Sequence, residues 1–497
     1  MNLDNLLYYL RICAEKHPSK KAFACRDEIY SFSQADILAR KLANCISTEY
    51  KKSPVAVLSG RCAETAILFL AVLCSGNYYV PIDPDMPCEK IQAILDDAAP
   101  KYILGTKEHS TLLDKLCTQA TFLTISDASD VLRSYPDTTS ADAAYMVYTS
   151  GSTGKPKGVL KSHGAVISFI ESYCDTFAFS SEDIIGNQTP FFFDASAKDF
   201  YLALKLGASL EIIPTELFSM PPMLIEYLND KNISFISWVP SALAIVSQLR
   251  TFSYILPETL KKVFFVGEVM PMKHLNAWRR ALPEVQFVNL YGQSEIAGIC
   301  CYYPVEGEYE DSAVLPMGKA MNNCRVYLEA EGQIIHESGK IGEMYIVSPA
   351  LATEYYNDPD KTAACFIERS FDGSEPLRCF KTGDLAQYNE NGDLVFAARN
   401  DYQIKHMGHR IELGEIEAVA GAMDEIQRCC CLYNSAKQKI VLFCQLTDTC
   451  GATASEIRSL LRPRLSSYML PGTVKIMDRL PLNPNGKIDR QKLKEML

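Results

Sequence analysis

The 497-residue sequence has neither an apolar run long enough to cross a bilayer nor an excess of positive charge. Its strongest apolar run, residues 65–74, is far shorter than the ~20 residues that a membrane-spanning helix needs. The first seventeen residues lack the basic stretch, apolar core and cleavage site of a signal peptide. A net charge of −11 argues against nucleic acid or an anionic membrane as a partner. These absences predict a cytoplasmic protein without a membrane span.

Cysteine is present at 18 positions, but its spacing does not suit a metal site or a disulfide framework. No two cysteines are separated by two residues, and three are adjacent at 429–431. Zinc ribbons use pairs of cysteines separated by two residues, and small disulfide-bonded secreted modules have a much higher cysteine density. We therefore expect reduced, mostly buried thiols that pack as small apolar side chains.

Short apolar runs alternate with helical patterns through the first third of the chain. Strands are predicted at 54–58, 78–82, 101–105 and 121–125, and helices at 63–75, 89–98 and 111–119. Strands that alternate with helices in this way form parallel sheets covered by helices. The same alternation returns after residue 205.

The pattern changes after about residue 325, where short alternating segments separated by Gly and Asn predict β-hairpins. The last hundred residues predict a small α+β unit with helices near 413–423 and 453–464 and a strand at 439–446. The expected fold class is therefore α/β. It consists of a large N-terminal domain of helix-covered sheets with a β-rich subdomain, residues 1–400, and a small, mobile α+β C-terminal domain, residues 401–497.

The segment YTSGSTGKPKGVLKSHG at 148–164 has the composition of a loop that holds an anion. Glycines let successive backbone N–H groups converge on a phosphate, while hydroxyls and lysines add donors and positive charge. It is not the nucleotide P-loop, because Pro156 follows Lys155 where Ser or Thr would stand, and Thr149 replaces the first glycine. From composition alone, a flexible surface linker remains the alternative.

This segment resembles the signature loop of the adenylate-forming (ANL) superfamily. The superfamily includes acyl-CoA synthetases, luciferases and the amino-acid adenylation domains of nonribosomal peptide synthesis. Further strings resemble the same family in the same order: SGNYYVPIDP at 75–84, FFFDAS at 191–196, NLYGQSE at 289–295, FKTGDL at 380–385, NDYQIKHMGHRIELGEIE at 400–417 and NPNGKIDR at 483–490. The resemblance covers the chain from about residue 30 to 490. Each string is moderately specific, and their shared order makes the set very specific.

The resemblance implies a reaction in two steps. A substrate carboxylate attacks the α-phosphate of ATP, which gives an acyl-adenylate and pyrophosphate, and a thiol then displaces AMP to form a thioester. Both reactants of the first step are negatively charged, so positioning and electrostatic stabilisation should dominate catalysis. ATP and Mg²⁺ are the implied cofactors. Rotation of the C-terminal domain about a hinge at Asp401 is implied between the two steps.

The residues implied for ATP fall on matching motif positions. Lys487 matches the catalytic lysine that bridges the substrate carboxylate and the α-phosphate, and Glu295 matches the catalytic glutamate that binds Mg²⁺. Tyr291, next to Gly292, is expected to stack on adenine, and Asp384 to accept hydrogen bonds from the ribose hydroxyls. The other expected ATP contacts are Thr149, Ser150, Gly151, Ser152, Thr153, Gly154, Lys155, Lys157 and Arg399.

Some positions depart from the family pattern or have no assigned role. Gln293 stands where the family usually has proline, and Ala398 replaces the usual glycine before Arg399. His163, just after the loop, is expected to be structural, with a place in the acyl pocket as the alternative.

Asp194 carries the sequence argument for an amino acid as the substrate. Amino-acid adenylating members use an acid at this position to pair with the α-ammonium, whereas acyl-CoA synthetases need none. The alternative is that Asp194 only caps the helix that follows it. A carboxylate in an apolar pocket is costly unless an ammonium neutralises it, which favours amino acids over fatty acids. The other expected pocket residues are Ala195, Lys198, Ser237, Phe264, Val266, Leu290, Gly298 and Ile299.

Lys198 is the cation of this expected pocket. It lies four residues after Asp194, so a weak i,i+4 ion pair on one helix face is the ordinary explanation. If Asp194 instead binds the substrate ammonium, Lys198 is poorly solvated and needs an anion. We therefore expect an acidic amino acid, glutamate or aspartate, as the substrate. A polar uncharged side chain comes next, and small substrates such as alanine stay open.

Only ten residues follow Lys487, and the sequence contains no carrier, condensation or thioesterase stretch. We therefore expect a freestanding monomer that acts on a separate carrier protein. The expected reaction is ATP-dependent activation of an amino acid to aminoacyl-AMP, followed by transfer to the phosphopantetheine thiol of that carrier.

Three alternatives to this function remain. A D-alanine:carrier-protein ligase is suggested by VGEVMP at 266–271, although Ala195, Lys198 and Val266 differ from the usual Leu, Met and Cys. An acyl- or aryl-CoA ligase is the second alternative. The third is a binding protein that senses a nucleotide or amino acid without turnover, and the intact catalytic and ribose-binding positions argue against it.

Replacement of Lys487 tests whether this lysine acts in the adenylation step and not in the thioester-forming step. Lys487→Ala should reduce adenylation by roughly 10²–10³-fold, the scale of losing one preorganised electrostatic group. Thioester formation from supplied acyl-adenylate should change much less, because the lysine is expected to leave the site for that step. Pyrophosphate exchange measures the first step and single-turnover transfer measures the second. Equal losses in both would contradict the assignment.

Overall fold

The structure is a computed structural model that describes residues 4–149, 156–371, 373, 375–399, 403–435, 437–447, 450–482 and 488–497. The chain divides into two compact units. The first comprises Met1–Pro84, Asp97–Val147 and Gly158–Asn400, and the second comprises Asp85–Asp96, Tyr148–Lys157 and Asp401–Leu497. None of the helices in the described ranges is long and apolar enough to span a bilayer.

The described residues form 14 α-helices, which vary in length from one turn to four. They are α1 Leu7–Lys16, α2 Phe32–Ala43, α3 Ala63–Cys74, α4 Cys88–Ala98, α5 Ser110–Leu113, α6 His163–Thr176, α7 Ala195–Leu206, α8 Pro221–Asp230, α9 Pro240–Gln248, α10 Met272–Ala281, α11 Pro359–Cys365, α12 Leu413–Gly421, α13 Ala454–Leu461 and α14 Arg490–Lys494.

The strands of the described residues belong to five sheets. They are β1 Lys21–Cys25, β2 Glu28–Ser31, β3 Pro54–Leu58, β4 Tyr78–Ile82, β5 Tyr102–Leu104, β6 Thr121–Leu123, β7 Ala143–Thr149, β8 Lys157–Ser162, β9 Ile184–Asn187, β10 Ser209–Ile212, β11 Phe235–Trp238, β12 Lys262–Val266, β13 Gln286–Tyr291, β14 Cys301–Pro304, β15 Lys319–Ala320, β16 Arg325–Ala330, β17 Gln333–Ile335, β18 Gly342–Val347, β19 Glu354–Tyr355, β20 Phe366–Arg369, β21 Leu377–Tyr388, β22 Leu394–Arg399, β23 Gln403–His406, β24 His409–Glu412, β25 Ile426–Asn434, β26 Lys439–Leu446 and β27 Thr473–Ile476.

Two large sheets build most of the first unit. One has seven strands in the order β19-β8-β7-β4-β3-β5-β6, and the other has nine in the order β15-β14-β13-β12-β11-β9-β10-β1-β2. Pairing is parallel from β4 through β3 and β5 to β6, and from β13 through β12, β11, β9 and β10 to β1. The predicted parallel sheets are therefore confirmed.

Helix α3 lies between these two sheets. It contacts β1 and β2 of the nine-stranded sheet and β3 and β4 of the seven-stranded sheet. All of its residues except Glu64 are buried, and β3 and β4 are buried along their whole length. A helix that is apolar on every side can be stable only when it is enclosed in this way. The short apolar run at 65–74 is thus a core helix.

The β-rich part of the first unit is a six-stranded antiparallel sheet. Its order is β17-β16-β18-β21-β20, with β22 paired to β21. This sheet contains the hairpins that the sequence predicts after about residue 325. The β16–β17 pair is a hairpin joined by a two-residue turn, and β22 lies antiparallel to β21.

The C-terminal part of the second unit has its own core. Helices α12 and α13 accompany the three-stranded sheet β25-β26-β27, and β23 and β24 form a separate hairpin. The adjacent cysteines 429–431 lie in β25, where Cys430 and Cys431 are buried. All 18 cysteines lie in the described ranges and none of them forms a disulfide, as the sequence predicts.

Most of the predicted elements match the structure within one or two residues. The strand prediction at 54–58 and the helix prediction at 63–75 are confirmed by β3 and α3. The helix prediction at 111–119 is wrong, because helix α5 ends at Leu113. That segment is mostly half-buried or exposed, so no core contact supports a longer helix.

His163 links the beginning of α6 to the N-terminal segment of the chain. The backbone N–H of Leu6 donates to its Nδ1 at 3.2 Å, and the ring is 1% exposed. Burial lowers the pKa of His163 to about 4, so the folded protein holds the neutral ring over a wide pH range. The structural expectation for this residue is confirmed.

Acidification should destabilise the first unit through His163. Its pKa is depressed on folding, so its contribution is complete above the unfolded value of about 6.5 and is lost as the pH falls towards 4. The loss is roughly 3 kcal/mol at most, from about 1.4 kcal/mol per pKa unit. Both tryptophans, Trp238 and Trp278, lie in the first unit, so their fluorescence reports its unfolding in urea. The difference in the free energy of unfolding between wild type and His163→Asn should shrink from pH 7.5 to pH 5. If this difference stays constant over that range, the pH dependence does not come from His163.

Candidate active site

Four of the residues expected to line the substrate pocket lie on three neighbouring parallel strands, towards their carboxyl ends. Ser237 on β11 lies opposite Phe264 on β12, and Val266 lies opposite Leu290 on β13. All four are buried, as is Ile299 beyond the end of β13. Parallel strands bring their carboxyl ends to one edge of a sheet, where ligands bind in open α/β folds. The structure therefore gathers residues that are far apart in the sequence.

Asp194 precedes α7, and its carboxylate is held by the neighbouring sheet. The hydroxyl of Tyr145 on β7 donates to its Oδ1 at 2.9 Å, and Lys161 on β8 forms an ion pair with the same oxygen. Asp194 occupies the N-cap position, but its side chain makes no capping hydrogen bond. The alternative of a purely capping role is therefore wrong. Burial raises the pKa of Asp194, and Lys161 opposes this rise.

Lys198 already has partners within the protein. Its Nζ lies 3.1 Å from Oδ1 of Asp199 and donates to the carbonyls of Ala195 at 3.0 Å and Ser237 at 3.3 Å. Two hydrogen bonds of the ammonium therefore go to backbone carbonyls, and the carboxylate of Asp199 lies within ion-pair distance of it. The expected i,i+4 pair with Asp194 is therefore wrong. The argument for an acidic substrate also fails, because Asp199 is the anion that the buried lysine needs.

Two glycines near the end of β13 are required by close packing. Gly298 has a φ of 96°, and a Cβ there would overlap the ring of Phe169 on α6. A Cβ on Gly292 would overlap the carbonyl of Gly298. This segment of backbone therefore lies directly against α6. Ala195, the remaining expected pocket residue, is half-buried at the start of α7.

Three of the expected nucleotide residues meet in one buried cluster of the first unit. Asp384 on β21 lies opposite Arg399 on β22, and Nη1 of Arg399 is 2.5 Å from Oδ1 of Asp384. The hydroxyl of Tyr291 donates to Oδ2 of Asp384, and Nε2 of Gln293 donates to the same oxygen at 2.6 Å. Burial, followed by the charge of Asp384, raises the pKa of Tyr291 well above its usual value. Gln293, where the family usually has proline, thus adds a donor to this carboxylate.

Glu295 is buried in the segment after β13. Its Oε1 accepts a hydrogen bond from the hydroxyl of Tyr355 at 2.7 Å, and its backbone carbonyl accepts from Ala352 at 2.9 Å. Within the described ranges, no group of three or more His, Cys, Asp or Glu is placed to hold a metal ion. A fixed single carboxylate fits Mg²⁺ when phosphate oxygens and water complete the shell, because Mg²⁺ rarely uses an all-protein cage.

The expected phosphate loop is described only at its edges. Thr149 ends β7, and Lys157 begins β8 with its Nζ 3.0 Å from Oε1 of Glu412, inside the second unit. The other predicted loop residues, Ser150, Gly151, Ser152, Thr153, Gly154 and Lys155, lie outside the described residues. So do the catalytic lysine candidate Lys487 and the hinge candidate Asp401. These assignments stay predictions.

Several residues that fix the side chains of the candidate site were not predicted from the sequence. Lys161 and Tyr145 fix Asp194, and Tyr355 fixes Glu295. One signal was present for Lys161, because it lies two residues after buried Val159 on β8 and so points to the same face of the strand. A lysine at an inward-facing strand position needs a buried anion, and Asp194 is that anion.

The chain is similar to known adenylating proteins. Models of the AMP-binding enzyme family and of the AMP-binding enzyme C-terminal domain match residues 10–356 and 415–487. The chain is 30% identical over 489 residues to tyrocidine synthase 1 of Brevibacillus parabrevis, a match that covers 97% of this chain but 44% of that protein. It is 30% identical over 508 residues to a D-alanine–D-alanyl carrier protein ligase of Bacillus cytotoxicus, with 98% of both covered.

The fold also matches solved structures. One is the Vibrio cholerae adenylation domain AlmE in complex with glycyl-adenosine-5′-phosphate, with a TM-score of 0.86 and 20% sequence identity. The match covers 100% of this chain and 98% of that one. The predicted α/β fold class is therefore confirmed.

The buried pair of Lys198 and Asp199 should be important for stability. Asp199→Asn leaves the ammonium of Lys198 without its counter-ion, which should cost about 3–5 kcal/mol in the free energy of unfolding. Urea unfolding followed by tryptophan fluorescence measures this loss. The double variant Lys198→Met, Asp199→Leu is the matched control, because it removes both charges and should recover most of the loss. A double variant as unstable as Asp199→Asn would contradict the electrostatic explanation.

Proposed function

The chain belongs to the AMP-binding enzyme family of adenylate-forming ligases, and from that premise we propose that it activates an amino acid with ATP. The resulting aminoacyl-AMP is then transferred to the phosphopantetheine thiol of a separate carrier protein. Family membership confirms the resemblance read from the motifs. The identity of the acid, the carrier and the freestanding state are part of the proposal.

The observation that carries this proposal is the position of Leu290 and Tyr291 on β13. These two residues are consecutive, yet Leu290 lies beside Val266 of the expected acid pocket and Tyr291 bonds to Asp384 of the expected ribose site. An acid and a nucleotide bound at the two places are therefore neighbours. Adenylation needs this proximity, because the carboxylate must reach the α-phosphate in an attacking geometry.

Each cluster has a role in the proposed reaction. Asp384 accepts hydrogen bonds from the ribose, and Tyr291, Gln293 and Arg399 hold its carboxylate in place. Glu295 holds Mg²⁺, which neutralises charge on the phosphates when bound. Lys487 supplies the positive charge between carboxylate and phosphate, and the loop at 150–155 with Lys157 and Thr149 takes the leaving pyrophosphate. The last two assignments rest on the motif match.

Asp194 supports the amino-acid part of the proposal. Its side chain is 9% exposed and is fixed by Tyr145 and Lys161, and the helix that follows it reaches β11 through the hydrogen bond from Lys198 to the carbonyl of Ser237. A fatty-acid pocket has no use for a charge at this place. The carrier-protein part is supported by the D-alanyl carrier protein ligase of similar length and by a solved adenylation protein that also contains a carrier domain.

Amino-acid-dependent exchange of labelled pyrophosphate into ATP tests the first step. Exchange is expected with at least one amino acid of a complete panel and should disappear in Asp384→Ala, which removes the ribose acceptor. Coenzyme A and a phosphopantetheinylated carrier protein are then compared as thiol acceptors. A preference for coenzyme A would favour the acyl-CoA ligase alternative, and a complete lack of exchange would refute the proposed activity.

Salt should weaken the transfer step if the carrier docks on the C-terminal segment. Residues 401–497 carry 14 Lys and Arg against 11 Asp and Glu, a net charge of +3 in a chain of net −11. Attraction between this segment and an acidic carrier is screened over about 8–10 Å at physiological ionic strength. The kcat/KM for the carrier should therefore fall from low to high salt, while pyrophosphate exchange changes little. Equal salt dependence of both steps would contradict the idea.

A further inference from the structure

The carboxylate proposed to select amino acids already has a cation of the chain beside it. Lys161 pairs with Oδ1 of Asp194, donates to the carbonyl of Ile296 at 3.3 Å, and has its Nζ 5.4 Å from the ring centroid of Tyr145. Its side chain is 0% exposed, whereas the Asp194 side chain is 9% exposed. The accessible part of the pair therefore belongs to the carboxylate, and Lys161 lies behind it.

This ion pair changes which group on the α-carbon of a substrate the pocket can bind. An unpaired buried carboxylate strongly requires a cation, because a buried charge without a partner costs several kcal/mol. Here the positive charge of Lys161 cancels that of Asp194 before any substrate binds. A substrate ammonium then meets a neutral pair, and its attraction to the carboxylate is offset by repulsion from Lys161.

The geometry still leaves a hydrogen-bond acceptor for the substrate. Among the described residues, both donors to Asp194, the Tyr145 hydroxyl and the Lys161 ammonium, approach Oδ1. Oδ2 is therefore open to a donor on the α-carbon of the acid. A hydroxyl can donate to it as an ammonium does, without adding charge.

We infer that Lys161 is a specificity-determining residue that relaxes the demand for an α-ammonium, so that the pocket takes 2-hydroxy acids as well as the amino acids with the same side chain. The inference rests on the proposed adenylation function and extends its substrate class. A site built on a lone carboxylate rejects the 2-hydroxy acid, whereas this site binds both through Oδ2.

Pairs of substrates that differ only at the α-position test this inference. Each amino acid that supports pyrophosphate exchange is compared with the 2-hydroxy acid of the same side chain and configuration. The ratio of the two kcat/KM values should lie within about tenfold in the wild type, because the site is already neutral. In Lys161→Met the ammonium becomes the only counter-ion of Asp194, and the ratio should rise at least about tenfold in favour of the amino acid.

The ratio separates specificity from general damage, since a misplaced pocket lowers both activities together. Tyr145→Phe is the matched control: it removes the other donor to Oδ1 but keeps both charges, so the ratio should stay near the wild-type value. A wild-type ratio above about tenfold overturns the inference by itself, even if Lys161→Met does not fold. An unchanged ratio in a folded Lys161→Met also overturns it.

The same measurements distinguish a failure of this inference from a failure of the proposed adenylation function. Exchange with amino acids alone overturns the role of Lys161 but leaves amino-acid adenylation standing. Exchange with neither member of any pair overturns the proposed activity, and the inference with it. Comparable exchange with both members, together with the shift in Lys161→Met, supports both.

Discussion

The candidate site depends on the parallel pairing of β11, β12 and β13. Parallel strands run in register, so residues from three distant parts of the chain reach the same edge of the nine-stranded sheet. Because β13 ends at Tyr291, its last two residues belong to the expected acid pocket and to the expected nucleotide cluster. Helix α3 lies between the two large sheets and contacts β1 and β2 at the other end of the nine-stranded sheet.

Periodicity and turn residues were sufficient to predict most strands of the two parallel sheets. Continuous apolar runs such as 54–58 and 78–82 are unambiguous, since strands buried on both faces have this composition. The segment 111–119 misled the prediction, because its helical pattern has no core to pack against. Strand β25 was not predicted at all, although two of its three adjacent cysteines are small buried residues there.

The buried charges show where sequence spacing stops being informative. Asp194 and Lys198 have the spacing of a helical pair, but each has a different partner. Lys161 lies on β8 of the other large sheet, and only the tertiary fold brings it to Asp194. Motif matching did better for Tyr291, Asp384 and Arg399, which the structure brings together in one cluster. A motif match predicts contacts between residues that the whole fold brings together. An i,i+4 spacing predicts a contact within a single helix only.

The contact between Gly298 and Phe169 determines how the expected acid pocket could change in size. Gly298 is one of the positions from which a substrate would be inferred, yet it has no side chain to vary, and its φ of 96° disfavours acquiring one. The ring of Phe169 occupies the adjoining volume. Adaptation to a bulkier acid would therefore proceed through substitutions on α6, a helix that a comparison of pocket positions alone would pass over. Two chains with identical pocket residues could then differ in the acids they accept.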